Sequence, residues 1–114
     1  MGTFTVGEIV LVRFPFSNLR HAKMRPAVVV ANAEFGDLVL CQITSSPFSS
    51  EIAIKISDTE ITGSGLHRDY SYIRPDKIFT ADTEIIMSSL GRLSSAKKRA
   101  VHKELTRSFA KLNK

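Results

Sequence analysis

The sequence predicts an α+β fold: a small antiparallel β-barrel or half-barrel of five to seven strands, with one C-terminal helix packed against it. Two observations carry that prediction. Between Gly7 and Leu90, short runs of alternating or unbroken apolar residues follow one another, separated by clusters of glycine, proline and serine, as successive strands would be. From Ser94 the period changes, and Val101, Leu105, Phe109 and Leu112, with Ala100 beside them, recur at helical spacing as one apolar stripe. With 114 residues the chain, 1–114, is a single domain, large enough to build a core without disulfide or metal staples.

Gly7 to Phe16, GEIVLVRFPF, is the first expected strand, with Val10, Val12 and Phe14 on one face and Ile9, Leu11 and Arg13 on the other. Pro15 lacks an amide proton and ends regular pairing there, or confines that end to an edge. Ser17 to Met24, SNLRHAKM, is a basic connection longer than a tight hairpin needs. Connections of this kind often carry function, although a solvated loop with an exposed His21 fits equally well. Arg25 to Thr44 then forms a hairpin. Its first strand, Ala27 to Ala31, is apolar at every position, as expected when both faces are covered. Its second, Leu38 to Ile43, alternates, with Val39, Cys41 and Ile43 on one face and Leu38, Leu40, Gln42 and Thr44 on the other. A Glu-Phe-Gly-Asp turn joins them.

In an antiparallel pair with a short connection, the start of the first strand lies beside the end of the second, so Arg25 and Thr44 are expected to be neighbours. The same pattern is satisfied by a surface arginine that starts a strand and a β-forming threonine before the Ser45-Ser46-Pro47 turn.

Glu51 to Ile56 alternates with Ile52, Ile54 and Ile56 inward, and Ser57 to Leu66, carrying Gly63 and Gly65, reads as a loop. Tyr70 to Thr80 is strand-like with Pro75 at its middle; a central strand cannot lose that amide, so a bulge or an edge is expected. Arg74 and Asp76 flank the proline on the same side. Glu84 to Leu90 makes one more strand, and Ser94 or Ser95 is the expected N-cap of the helix.

The net charge of +5 is a property of one segment. From Ser94 onward seven Lys or Arg face one Glu, most simply a solvated helix face, while the rest of the chain is nearly neutral. Between Ile9 and Ala33, however, Arg13, Arg20, Lys23 and Arg25 occur with no acid, a local patch able to attract a polyanion. Cys41 is the only cysteine and sits in an apolar run, which excludes an intrachain disulfide and favours a reducing compartment. The opening MGTFTVGE has no leader character and no apolar run reaches membrane-spanning length, so a cytoplasmic protein with no membrane partner is expected.

One cysteine and three scattered histidines (His21, His67, His102) offer no metal-ligand spacing, and no GxSxG or P-loop is present. What remains is Arg25, Thr44, Arg74 and Asp76, with His21 and Lys23 in the first loop. Such side chains suit work on a phosphodiester without metal or cofactor. Arginines can clamp the phosphate and stabilise its added negative charge, and a carboxylate can take a proton from a ribose 2′-hydroxyl.

At this point the chain resembles the MazF/PemK-like toxins of bacterial toxin-antitoxin modules. The likeness lies in the GEIVLVRFPF opening, the RPAVVV strand after a basic loop, the QITSS strand end, the SYIRPDKIFT segment and the GRLS-plus-helix ending. The resemblance implies an SH3-like barrel that forms a homodimer and acts as a metal-independent, sequence-selective endoribonuclease on single-stranded RNA. It further implies a cyclic phosphate and a free 5′-hydroxyl as products, and a cognate antitoxin that blocks the site. Arg25 matches the family's Arg-Pro arginine and Thr44 its strand-end threonine, the pair most often assigned to catalysis. Arg74 and Asp76 match the Arg-x-Asp of PemK-type members, Asp76 as the base, with Pro75 and Lys77 standing where Cys and Gln are common. His21, Lys23, Ser45 and Ser46 are the implied RNA contacts. Two alternatives share the barrel without the reaction. A gyrase poison of related fold depends on a tryptophan-containing tail, whereas this chain has no tryptophan and ends LNK. An SH3-like peptide-binding module would need exposed aromatics, for which Phe16, Phe48, Tyr70 and Tyr72 are the candidates.

Overall fold

Alternation along the chain becomes one antiparallel sheet in the computed structural model, which describes residues 4–14, 23–47 and 51–111. The strands are β1 (Glu8–Phe14), β2 (Lys23–Asn32), β3 (Leu38–Thr44), β4 (Ile54–Ser57), β5 (Ile61–Thr62), β6 (Tyr70–Ala81) and β7 (Ile86–Leu93), followed by helix α1 (Ser95–Lys111). Their order across the sheet is β4-β6-β3-β2-β1-β7-β5. The two edge strands, β4 and β5, are consecutive in the chain and joined only by the 3-10 turn Asp58–Glu60. The sheet therefore curls until its edges are neighbours, giving the nearly closed barrel with a terminal helix that the sequence predicts.

The curled sheet buries a different set of residues on each face. Ile9, Val28, Cys41, Ile43, Ile56 and Ile73 pack with Val101 and Leu105 of α1. Val10, Val12, Ala27, Val29, Leu38 and Leu40 form a second cluster, against which Phe14 and Phe79 stack with ring centroids 5.0 Å apart. The unbroken apolar run of β2 is thereby explained, since Val28 serves one cluster and Val29 the other.

Several boundaries differ from expectation. β2 begins at Lys23, because Phe14 pairs with Lys23 and Arg13 with Met24, and a ladder of backbone hydrogen bonds does not require apolar side chains. The strand expected from Glu51 starts at Ile54. The segment read as a loop from Ser57 contains β5, whose Ile61 and Thr62 pair with Leu93 and Arg92. Helix α1 is capped as expected: Lys97 N donates to Ser94 Oγ (3.3 Å) and Lys98 N to Ser94 O (2.9 Å). Its apolar stripe is buried at Val101 and Leu105, but Phe109 is 48% exposed, and Leu112 lies outside the described residues.

Candidate functional site

The register between β2 and β3 pairs Ala27 with Gln42 and Val28 with Cys41, and continuing it by two residues aligns Arg25 with Thr44. Both residues line one cavity of about 450 Å³, together with Lys23 and Ser45. Leu11, Pro26, Ile43 and Leu90 contribute apolar surface to it, and the buried Ser71 adds a hydroxyl. The volume falls in the range of small-ligand sites. Among the described residues the lining holds three cations, Lys23, Arg25 and Arg68, and no carboxylate, so the cavity favours an anion. Thr44 Oγ1 accepts a hydrogen bond from Ser46 N at 3.2 Å, which orients the threonine hydroxyl at the strand end and brings in Ser46 through its backbone.

Arg74 and Asp76 form a second group on the next row of the sheet. The β3–β6 register jumps from Cys41 opposite Ile78 to Gln42 opposite Arg74, so Pro75, Asp76 and Lys77 stand out of the ladder as the expected bulge. Pro75, with no amide to donate, disrupts nothing there. The bulge folds the two flanking side chains together: Arg74 Nη2 donates to Asp76 Oδ2 (2.8 Å) and Arg74 Nε to Asp76 Oδ1 (3.3 Å). Thr44 is opposite Tyr72 and Gln42 opposite Arg74, which puts Thr44, Tyr72, Gln42 and Arg74 on the same face of the sheet. Arg74 and Asp76 do not line the cavity; Arg74 stands two residues along β6 from Tyr72, the partner of the lining residue Thr44. On the opposite face of the sheet the Cys41 thiol is pushed up to about 12, by burial first and by the Asp76 charge second, so it is a neutral core filler at physiological pH.

His21 lies outside the described residues. Conversely, His67 and Arg68 line the cavity from the β5–β6 connection, although nothing in their spacing marked them. Beside them on β6, Tyr70 is exposed and carries the Lys55 ammonium 4.1 Å from its ring centroid.

Residues 5–109 match the family model of the PemK-like, MazF-like toxins of type II toxin-antitoxin systems. The chain belongs to this family. No curated protein sequence matches it significantly. Among solved structures, MazE-MazF from Deinococcus radiodurans superposes with a TM-score of 0.77 at 16% identity, covering 96% of this chain and 98% of that one. Toxin MazF-mt6 of Mycobacterium tuberculosis gives 0.70 at 15%, covering 90% and 96%. A mycobacterial endoribonuclease in complex with its cognate antitoxin gives 0.73 at 14%, covering 96% of each chain. At these identities the likeness is one of fold, and it extends over 90–96% of the chain.

Proposed function

We propose that this MazF-like protein is the toxin of a type II toxin-antitoxin module and cuts single-stranded RNA as a metal-independent endoribonuclease. The observation that carries the proposal is the meeting of Arg25 and Thr44 in one cavity lined by cations and free of carboxylates among the described residues. In the reaction a ribose 2′-oxygen bonds to the adjacent phosphorus as the bond to the 5′-oxygen breaks, leaving a cyclic phosphate and a 5′-hydroxyl. Arg25 stabilises the charge gathered on the phosphoryl oxygens; with a pKa above about 12 its guanidinium keeps its proton and acts by electrostatics. The Thr44 hydroxyl, whose oxygen is already engaged by Ser46 N, directs its proton to the phosphate. Asp76 takes the proton of the 2′-hydroxyl, oriented by Arg74, and water reprotonates the departing oxygen. Lys23 and Ser45, which line the cavity, hold the strand, with Ser46 and His21 as its further contacts.

A homodimer, a cognate antitoxin and a cytoplasmic site of action belong to the same proposal. The antitoxin has support from the structural neighbours that are complexes with one. The test is incubation of the purified protein with a long single-stranded RNA in EDTA, followed by mapping of the cut ends. Discrete cuts bearing 5′-hydroxyl termini are expected, together with their loss in Arg25→Ala at a nearly unchanged melting temperature. Intact RNA with the wild-type protein would move the assignment to a barrel that acts by protein contact.

A further inference from the structure

We propose that the β5–β6 connection is a third wall of the RNA site, in which Arg68 is a ligand for a phosphate of the strand and Asp58 is the residue that positions it. The proposal rests on the RNA-cleaving role of the cavity.

The connection is tethered to β7 and to the Asp58–Glu60 turn by four hydrogen bonds. Leu66 N donates to Asp58 Oδ1 at 2.8 Å, Gly65 N to Leu90 O at 2.8 Å, Ser64 Oγ to Leu90 O at 3.2 Å, and Asp58 N to Asp69 O at 3.2 Å. Gly65 has φ +74, and a Cβ there would stand 2.8 Å from Asp58 Oδ1, so only glycine lets the carboxylate reach the next amide. These tethers hold His67 at φ 57, a left-handed conformation that costs an L-residue about 1–2 kcal/mol. Both His67 and Arg68 are exposed, so the core gains nothing from this placement. Strain maintained by surrounding bonds at a cavity edge points to a use for the side chains it presents.

Among the described residues Arg68 makes no ion pair, and it shares the cavity with Arg25, which arrives on β2. A single RNA strand carries one negative charge per nucleotide. Cations brought to one cavity by separate elements, with apolar surface from Pro26, Ile43 and Leu66 in the same lining, suit consecutive phosphates and a neighbouring base. An acidic peptide would satisfy the charges, but it would not have the regular spacing of anions around a flat apolar group.

The experiment measures binding of a fluorescein-labelled 2′-fluoro RNA, which lacks the attacking hydroxyl, across a salt series, and cleavage of the unmodified strand. Arg68→Ala is expected to weaken binding about tenfold and to reduce the slope of log K against log salt by about 0.7, the value of one phosphate contact on a single strand. Arg68→Lys should restore the slope, KM should rise with kcat within about twofold, and the exposed position should leave the melting temperature unchanged. Asp58→Ala should weaken binding in the same direction, and removing Arg68 should then cost less than it does in the wild type. Asp58→Asn, which keeps the acceptor for Leu66 N, should bind as the wild type does. Wild-type cleavage with an Arg68→Ala variant of equal affinity and slope overturns the role of the loop alone. Additive losses for Asp58→Ala and Arg68→Ala overturn the positioning role. A wild-type protein that neither binds nor cuts RNA overturns the role of the cavity, and this proposal with it.

Discussion

Asp76 is the residue at which geometry constrains chemistry most. Both carboxylate oxygens receive hydrogen bonds from Arg74, on the row of the sheet beside Thr44 rather than in the cavity. In the proposed reaction a base so placed exchanges part of that pairing for the 2′-hydroxyl as the strand settles. Asp76→Asn preserves shape and an acceptor while removing the charge, so it should lower the cleavage rate at least about 100-fold with little change in RNA affinity. A comparable loss in both would make the pair a binding element. Behind it, Cys41 supplies a second test. Its folded-state pKa of about 12 lies above the ordinary 9.0, so the folded protein holds the thiol proton more tightly than the unfolded chain does. The stability this contributes is complete below pH 9 and is lost as pH rises toward 12. Compared with Cys41→Ala, the wild type should lose its stability advantage over that window by at most about 1.4 kcal/mol per pH unit, read from denaturant melts. Parallel pH profiles would mean that the thiol is not buried in solution.

At the scale of elements, closure of the barrel depends on the contact of β5 with β7. Gly91 has φ +140, and a Cβ there would collide with the carbonyl oxygen of Thr62 on β5. Gly91→Ala should therefore destabilise the fold by about 3 kcal/mol, combining backbone strain with overpacking. A change below about 0.5 kcal/mol in a urea melt would mean that β5 is not docked. This contact also shows what local pattern conveys and what it omits. β1 and β3 were legible because their alternation is regular, and the Arg74–Asp76 pair was legible because the missing amide of Pro75 forces a bulge between the two side chains. β5 was not, since Ile61 and Thr62 lie in a stretch of loop composition and become a strand only when the Asp58–Glu60 turn swings them onto β7. The place of His67 and Arg68 in the cavity lining is not legible for the same reason: closure of the sheet brings them to the cavity that Arg25 and Thr44 line, which spacing along the chain does not encode. The helix stripe continues in sequence to Phe109, which is nevertheless exposed, because periodicity does not report where the barrel beneath it ends.

Across the whole molecule, charge and site are separated. The excess of lysine and arginine lies on α1, whose Lys98 and Lys103 border a groove with Val28, Val29 and Val30 of β2, whereas the cavity is bordered by Lys23, Met24, Arg25 and Pro26 at the other end of that strand. From Met24 to Val30 an extended strand covers about 20 Å. That span is more than twice the Debye length of about 8 Å at physiological salt. Reversing both lysines, Lys98→Glu with Lys103→Glu, takes the net charge from +5 to about +1, yet RNA affinity at 0.15 M salt should stay within about twofold of wild type. The measurement is an RNA titration at 0.15 M, repeated at 0.05 M, where screening is weaker and a distant field is felt more. A loss confined to the lower salt would reflect that field alone. A steep loss at 0.15 M would mean that the strand continues from the cavity along β2 onto α1, and the helix would then belong to the RNA path rather than to the solvated surface.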